Sequence, residues 1–285
     1  MRLGAHVSTA GGLDKAVDRA AEIGAEALQC FCSSPQGWAF KPIPQDQTSA
    51  FRQKAKAAGV EPAFLHAIYL INLGTSNQEN LSKSIASLTN YMHVASAIGA
   101  AGVIFHGGSH KGAGYDGIFR QTVDSLKAVL AQSPQDVSLI IENSAGMGNH
   151  IGSKFQEIGR IMQAVGDPRV KVCLDTQHSF AAGYNLTTPE DVEETMKEFD
   201  SEIGMAELVV VHANDSKVPF ASGVDRHENI GQGHMGADAF VAIMGHPSFR
   251  NIPFILEVPG FDNKGPDKQN MDILKELRQR AGLRG

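Results

Sequence analysis

The sequence has few cysteines, no long apolar run and no signal-peptide pattern. Its three cysteines, Cys30, Cys32 and Cys173, form neither a CxxC pair nor a disulfide framework. No apolar stretch approaches the roughly 18 residues that a membrane-spanning helix requires. The first residues, Met1–His6, lack the basic region and the apolar stretch of a signal peptide. We therefore expect a cytoplasmic protein that does not contact a membrane.

The sequence also lacks an excess of basic residues. Its net charge is -6, from 25 Lys and Arg residues against 31 Asp and Glu residues. Because proteins contact nucleic-acid phosphates mostly through Lys and Arg, this balance argues weakly against a nucleic-acid partner. It does not decide the question, since bound divalent cations would reverse the local sign of an acidic cleft.

Short apolar runs alternate with amphipathic stretches along the whole chain of 285 residues, without a linker or a low-complexity segment. Such runs, bounded by polar residues or Gly, are typical of buried parallel strands. Eight are present, at 3–7, 27–31, 62–66, 103–106, 138–142, 170–175, 208–212 and 252–257. Helical periodicity follows each run. This count predicts an α/β protein with a single domain, residues 1–285, folded as a (β/α)8 TIM barrel.

Six of the eight predicted strands end in a histidine or a carboxylate, namely His66, His106, Glu142, Asp175, His212 and Glu257. One such residue is often only a loop residue or a helix cap. In barrel enzymes, however, the carboxyl ends of the strands form the active site, and these six residues would meet there. An open doubly wound sheet, the alternative fold, gives no reason for the repeated placement. The mixture of nitrogen and oxygen ligands suits Zn²⁺, Mn²⁺ or Fe²⁺ better than Mg²⁺ or Ca²⁺.

Two short motifs outside the strands add further ligand types. His178 lies three residues after Asp175, and Asp225 and His227 flank Arg226 in the loop after the seventh predicted strand. Alone, an Asp-x-His motif is more often an exposed polar loop, but it gains weight beside a site that needs ligands. Nine candidate ligands are too many for one ion, so the sequence predicts a cluster of two or three metals. Such clusters typically serve phosphoryl hydrolysis.

A glycine-rich segment, Gly112–Gly117, matches the GxGxxG pattern of dinucleotide-binding proteins. That pattern requires the glycines to begin where a strand ends, whereas Gly107–His110 separates this segment from its strand. A dinucleotide site would also leave most of the strand-end ligand types without a role. We therefore disfavour nucleotide binding at this segment.

With these residues identified, the chain resembles the endonuclease IV family of apurinic/apyrimidinic (AP) endonucleases. The similarity extends from Gly4 to Glu257, and the segments that carry it are 66–73, 105–110, 141–143, 174–178, 212–216 and 224–227. The resemblance implies a DNA-repair enzyme that hydrolyses the phosphodiester bond 5′ to an abasic site. Its products would be a 3′-hydroxyl and a 5′-deoxyribose phosphate, and it would also remove 3′-blocking groups.

The resemblance further implies a trinuclear zinc centre, with Mn²⁺ or Fe²⁺ as alternatives at some sites. It assigns His66, His106 and Glu142 to one ion, Glu142 with Asp175, His212 and Glu257 to a second, and His178, Asp225 and His227 to a third. Glu142 would bridge two ions. Glu257 would orient the attacking hydroxide, so that both glutamates would be catalytic.

The implied partner is double-stranded DNA that contains abasic sites, and the protein would act as a monomer. Tyr69 and Leu70 resemble the apolar wedge that this family inserts between bases when the abasic sugar is flipped out. Gln36 lies where members of the family can present an Arg to the DNA, so this chain lacks that positive charge.

Two other functions remain open from the sequence. A sugar isomerase or epimerase on the same barrel would use strand-end ligands for one or two Mn or Mg ions, but it would not need His178, Asp225 and His227. A non-catalytic DNA-binding module is disfavoured by the negative net charge and by the many ligand types.

Overall fold

The computed structural model describes residues 1–283 and contains a closed barrel of eight parallel strands. These strands are β1 (Leu3–His6), β2 (Ala27–Cys30), β3 (Ala63–His66), β4 (Gly102–His106), β5 (Ser138–Glu142), β6 (Val170–Asp175), β7 (Leu208–His212) and β10 (Phe254–Leu256). Each strand pairs with the next along the chain, and β10 closes the barrel between β7 and β1. The predicted TIM barrel is confirmed.

Helices follow the strands on the outside of the barrel. They are α1 (Lys15–Glu22), α2 (Gln45–Ala58), α3 (Gln78–Ile98), α4 (Tyr115–Ala131), α5 (Phe155–Val165), α6 (Thr176–Ala182), α7 (Pro189–Glu202), α8 (Ala237–Gly245) and α9 (Lys268–Arg280), with short 3₁₀ helices at Met147–Asn149, Met205–Glu207 and Pro247–Phe249. Within residues 1–283, no helix is long and apolar enough to cross a membrane.

Two elements were not expected from the sequence. Helix α6 begins directly at the end of β6, and a short antiparallel pair, β8 (Asp215–Ser216) and β9 (His227–Glu228), lies between β7 and α8. Both lie beyond the carboxyl ends of barrel strands. They consequently add side chains to the face at which the predicted strand-end ligands meet.

Several helix starts follow directly from local sequence. Thr188 accepts a hydrogen bond from the backbone N–H of Asp191 at 3.2 Å, and Pro189 occupies the first turn of α7, where Thr and Pro are favoured. Asn77 and Asp267 cap α3 and α9 in the same way. These caps end the loops that follow β3, β6 and β10 at defined positions.

A small apolar layer fills the inside of the barrel and is separate from the larger core between strands and helices. It consists of Ala27, Phe64, Ile104, Ile140, Cys173, Val210 and Ile255, one from each strand except β1. In β1 the corresponding residue is Gly4, where an added Cβ would lie 2.5 Å from the carbonyl oxygen of Ala27. The apolar layer therefore extends across the whole barrel interior. We call it the floor, because the strand ends that follow it in the sequence lie above it.

Candidate metal centre

The layer above this floor is polar. Because side chains alternate between the two faces of a strand, the residue two positions after each floor residue points into the barrel again. These residues are His6, Gln29, His66, His106, Glu142, Asp175, His212 and Glu257. All six predicted strand-end ligands thus belong to one ring at the carboxyl end of the barrel. Period-two alternation explains why each predicted ligand follows an apolar residue at the same spacing.

Helix α6 brings His178 to this ring. One oxygen of Asp175, Oδ1, accepts the backbone N–H of His178 at 2.8 Å and caps the helix. The other oxygen, Oδ2, lies 3.8 Å from Nδ1 of His212 and 3.7 Å from Nε2 of His227. One oxygen of Asp175 therefore caps the helix that carries His178, and the other oxygen faces the cluster.

The β8–β9 hairpin brings the last two predicted ligands. His227 pairs with Ser216 in this hairpin, and its ring lies 5.4 Å from that of His178. Asp225 precedes it, with its two carboxylate oxygens 3.3 Å from Nε2 of His178 and 3.4 Å from Nε2 of His227. Asp225 is the most exposed of the predicted ligands, with a side chain 40% exposed.

The ligand atoms form three overlapping groups in which all atoms lie within 4.8 Å of one another. The groups are His66, His106 and Glu142; Glu142, Asp175, His212 and Glu257; and Asp175, His178 and His227. Glu142 belongs to two groups, with Oε2 facing His66 at 3.1 Å and Oε1 facing His212 at 3.1 Å. Its two oxygens thus face different histidines, which is the arrangement that a bridging carboxylate requires.

Hydrogen bonds determine which nitrogen of each histidine faces the cluster. Nδ1–H donates to a backbone carbonyl in His66 (Ala67, 2.8 Å), His178 (Asn143, 2.9 Å) and His227 (Glu257, 3.2 Å). In these three histidines Nε2 is left to face the carboxylates. Such a second hydrogen bond, which orients the ring and selects its tautomer, is typical of metal-binding histidines.

Two of these nitrogens support occupation by a metal. Nε2 of His178 and Nε2 of His227 are buried and have no hydrogen-bond partner among residues 1–283. Asp225 is near both, but not with the alignment that a hydrogen bond needs. A buried polar atom without a partner costs about 1–3 kcal/mol. A cation between His178, His227 and the adjacent carboxylates would remove this cost, so the donor set fits a metal ion.

The electrostatics of the cluster also call for positive charge. Burial on its own would raise the pKa of Glu142, but His106 and His212 hold it well below its usual range. Burial would likewise raise the pKa of Asp225, which His178 keeps below its usual range. The carboxylates are therefore ionised at neutral pH. Buried anions of this kind need protonated histidines or metal ions beside them.

The predicted DNA-contact residues lie at the rim of the same face. Tyr69 and Leu70 are 61% and 38% exposed, although the ring of Tyr69 lies 6.1 Å from that of the buried predicted ligand His66. The backbone N–H of Tyr69 donates to the carbonyl of Pro35 at 3.1 Å, which holds the loop of exposed Gln36 beside the Tyr69 loop. The structure thus brings these three residues together, while their contact with DNA stays a prediction.

Tyr69 also separates two cavities. The larger one, about 690 Å³, is lined by His6, Phe31, His227, Glu257 and other residues. The smaller one, about 150 Å³, lies towards His106, His178 and Asp225. Both open beside the metal-ligand types, so a substrate on this face would reach the cluster along Tyr69.

Sequence reasoning missed Gln29. It is fully buried and hydrogen-bonds to both His212 and Glu257. The signal was available, because Gln29 is a polar residue inside an apolar predicted strand, two positions after Ala27. His6 lies in the same ring, with Nδ1 3.1 Å from Oε1 of Glu257. His110 accepts N–H groups of Gly112 and Gly114 and so organises the glycine-rich loop.

Comparison with known proteins is consistent with this geometry. Residues 17–277 match the family described as xylose isomerase-like TIM barrel. A protein named probable endonuclease 4 from Halothermothrix orenii is 39% identical over 276 residues, which cover 96% of this chain and 99% of that protein. The chain belongs to the endonuclease IV family. A second member, probable endonuclease 4 from Haloarcula marismortui, is 38% identical over 280 residues, or 98% of this chain and 99% of its own length.

Solved structures give the same family and a wider fold class. Endonuclease IV from Thermus thermophilus has a TM-score of 0.86 and 33% identity, and the match covers 98% of this chain and 99% of that one. A D-tagatose 3-epimerase-like protein has a TM-score of 0.77 at 15% identity. The second likeness concerns the barrel alone. The endonuclease IV family therefore shares its scaffold with sugar epimerases, and the function has to be argued from the site.

Proposed function

We propose that this protein is a metal-dependent DNA-repair endonuclease that hydrolyses the phosphodiester bond 5′ to abasic sites in double-stranded DNA. The products are a 3′-hydroxyl and a 5′-deoxyribose phosphate, and 3′-blocking groups are removed by the same chemistry. The active form is a cytoplasmic monomer with three zinc ions, one for each group of ligand atoms. Membership of the endonuclease IV family supports the choice of substrate class.

One observation carries the proposal: His178, Asp225 and His227 meet beside the strand-end ring. The ring alone has the residue types that a sugar isomerase or epimerase with one or two ions needs. This trio contains two buried histidine nitrogens without a hydrogen-bond partner among residues 1–283, and its residues are carried by helix α6 and the β8–β9 hairpin with the loop before it, which the barrel itself does not require. Hydrolysis of a phosphodiester, which is charged, involves both an attacking water oxygen and a leaving oxygen and so gives such an extra site a role.

The chain's residues divide the chemistry between them. Metal ions bound in the cluster would supply charge neutralisation for the phosphate and would acidify water. Glu142 bridges two of the ligand groups through its separate oxygens. Glu257, with a side chain 16% exposed at the edge of the larger cavity, can accept a hydrogen bond from the attacking water at Oε2 and orient it. His178, Asp225 and His227 would hold the ion that stabilises charge on the leaving 3′-oxygen.

Exposed apolar side chains form a rim around the site, and such a rim suits DNA whose bases must be unstacked. The exposed large apolar side chains of residues 1–283 are Tyr69, Leu70, Met147, Phe220 and Phe261. Every one lies in a loop that follows a barrel strand, on the face of the metal-ligand types. Apolar side chains that enter a base step offset the cost of unstacking it. A small sugar bound inside the pocket would not need them.

The proposed activity is tested on a duplex with one abasic site. We expect zinc-loaded protein to nick the strand 5′ to that site and to leave an end that a DNA polymerase extends, since the product carries a 3′-hydroxyl. An otherwise identical duplex without the lesion should stay intact, and prolonged incubation with a chelator should abolish nicking. If the protein instead interconverts ketose epimers and leaves the abasic duplex intact, the epimerase alternative is correct.

The rim residues give a second prediction. Replacing both Tyr69 and Leu70 with Ala should weaken binding to abasic duplex by roughly ten- to a hundredfold, because unstacking costs a few kcal/mol that the wedge offsets. Metal content should not change, since neither side chain is a ligand type. Fluorescence anisotropy with labelled duplex measures the affinity. The conservative pair Tyr69→Phe and Leu70→Met, which keeps an apolar wedge, is the matched control, and equal affinity of all three proteins would contradict the prediction.

A further inference from the structure

We propose that Gln29 is a positioning residue of the metal centre. It selects the ring nitrogen that His212 presents to the cluster and holds Glu257 in the orientation needed beside it. The inference rests on the proposed metal centre but not on the identity of the substrate. It concerns a residue that belongs to the polar ring of the barrel and is itself neither a histidine nor a carboxylate.

Gln29 has the same place in β2 as the ligand types have in the other strands. It lies two residues after Ala27, a member of the apolar floor, and its side chain therefore points into the barrel at the level of the ring. It is fully buried, and its neighbours in the strand, Leu28 and Cys30, pack in the outer core. A buried amide at this position must find its hydrogen-bond partners within the ring.

Both ends of the amide bind cluster residues. A carboxylate that is ionised only accepts hydrogen bonds, so the end that lies 2.5 Å from Oε1 of Glu257 is the NH₂ group. The other end, Oε1 of Gln29, lies 2.8 Å from Nε2 of His212 and accepts from it. When a metal is bound, His212 therefore keeps its proton on Nε2 and offers the lone pair of Nδ1 to the cluster. The identity of one side chain thus decides the tautomer of another.

This assignment explains why His212 differs from the other histidines of the cluster. His66, His178 and His227 donate from Nδ1 to backbone carbonyls and present Nε2. His212 donates from Nε2 and presents Nδ1, which lies 3.1 Å from Oε1 of Glu142 and 3.2 Å from Oε2 of Glu257. Oε1 of Gln29 is the acceptor that holds this proton on Nε2.

Glu257 is positioned by the same contact. Its Oε1 is approached by the NH₂ group of Gln29 and, at 3.1 Å, by Nδ1 of His6. This leaves Oε2 as the oxygen that faces His212. One oxygen of Glu257 is thus tied to the first two strands of the barrel, and the other is directed to the cluster. Because Glu257 is the proposed orienting group for water, loss of this tie should affect turnover more than substrate binding.

The first experiment measures zinc affinity. Partners that orient metal ligands typically contribute 10- to 100-fold in metal affinity or activity. Gln29→Met keeps the size of the side chain and removes the contacts of the amide with His212, Glu257 and Nδ1 of His6, so we expect about a 10- to 100-fold loss of zinc affinity in competition with a chromogenic chelator. Gln121→Met is the matched control, since Gln121 donates two hydrogen bonds of 2.8 Å to the carbonyls of Leu73 and Thr75 and none to the cluster. Its affinity should equal that of wild type.

A second variant separates the two contacts. Gln29→Glu keeps an acceptor for Nε2–H of His212 but replaces the neutral donor beside Glu257 with a second carboxyl group. Two carboxylates at this distance cannot both be ionised, so the pair shares a proton and Oε1 of Glu257 is no longer held by a neutral amide. We expect Gln29→Glu to retain more zinc affinity than Gln29→Met while losing about as much kcat on abasic duplex, with KM nearly unchanged for both variants. Equal affinity and kcat for wild type, Gln29→Met and Gln29→Glu would overturn the proposal.

The tautomer is measured on zinc-loaded wild type by NMR of the histidine rings. We expect a ring proton of His212 on Nε2, protected from exchange by Gln29. A proton on Nδ1 instead would overturn the proposal without any variant, and so would a free Nε2–H that exchanges as fast as that of exposed His234. Neither this measurement nor zinc affinity uses DNA. A protein that fails to nick abasic duplex but behaves as described here would refute the proposed function and leave the role of Gln29 intact.

Discussion

Replacing Glu142 with Gln should abolish most of the activity, with a fall in kcat of roughly a thousandfold or more. Glu142 is fully buried and is shared by two of the three groups of ligand atoms. Its Oε2 faces Nε2 of His66 and of His106 at 3.1 and 3.5 Å, and its Oε1 faces Nδ1 of His212 at 3.1 Å. Gln has almost the same shape but has no charge, and it turns one of these acceptors into a donor. The change therefore removes the bridge while it preserves packing.

Metal content distinguishes this cause from misfolding. Wild type should bind about three ions per chain, and the variant about one, because only the group of Asp175, His178 and His227 does not include Glu142. Elemental analysis after gel filtration gives this ratio. Glu207→Gln is the control: Glu207 pairs with Lys171 at 2.6 Å, at the end of the barrel where β6 and β7 begin. A wild type with one ion and full activity would contradict the trinuclear centre.

Much of the fold followed from periodicity. The floor of the barrel and the ring above it are consecutive inward positions of the strands, so an apolar residue recurs two positions before each ligand type. That regularity is visible in the sequence, and the six strand-end ligands could be predicted from it. Gln29 obeys the same spacing. It was missed because an amide is not a ligand type, and its role depends on which neighbours the closed barrel places beside it.

The third group of ligands was harder to place from sequence alone. Helix α6 is short, and its start depends on the capping of His178 N–H by Asp175, a residue already assigned to another role. The hairpin that carries His227 has strands of only two residues, and Asp215 holds the loop after it by accepting N–H groups of Gly231 and Gly233. Neither element has a hydrophobic period long enough to detect. Only the motif spacing and the family resemblance pointed to them.

The negative net charge of the chain is compatible with a DNA partner because of this cluster. Neighbouring histidines hold the pKa of Glu142 and of Asp225 below the usual range, and ions bound in the cluster would turn the face positive where a phosphate would enter. The apolar rim then contributes contacts that do not depend on charge. Affinity for abasic duplex should therefore depend on metal loading. Removing one metal site should lower the DNA affinity by a smaller factor than it lowers kcat.

His227→Ala tests that distinction at the third site. We expect kcat to fall by roughly a hundred- to a thousandfold, because His178, Asp225 and His227 hold the charge that would stabilise the leaving 3′-oxygen. Binding to abasic duplex should stay within about tenfold of wild type, since Tyr69, Leu70 and the Glu142 groups are unchanged. Single-turnover cleavage and anisotropy on the same duplex separate the two effects.

The control for His227→Ala is His234→Ala, a change of an exposed histidine seven residues further along the same loop. Wild-type cleavage is expected for it. The variant at His227 should also lose about one ion per chain, because the group of Asp175, His178 and His227 would lack one of its nitrogen ligands. Unchanged cleavage in His227→Ala would remove this site from the mechanism and favour a sugar-converting enzyme, for which the strand-end ligands suffice. If His227→Ala instead loses both cleavage and one bound ion while its DNA affinity stays nearly constant, the site of His178, Asp225 and His227 is catalytic. Contact with DNA and stabilisation of the leaving oxygen would then be carried by different residues.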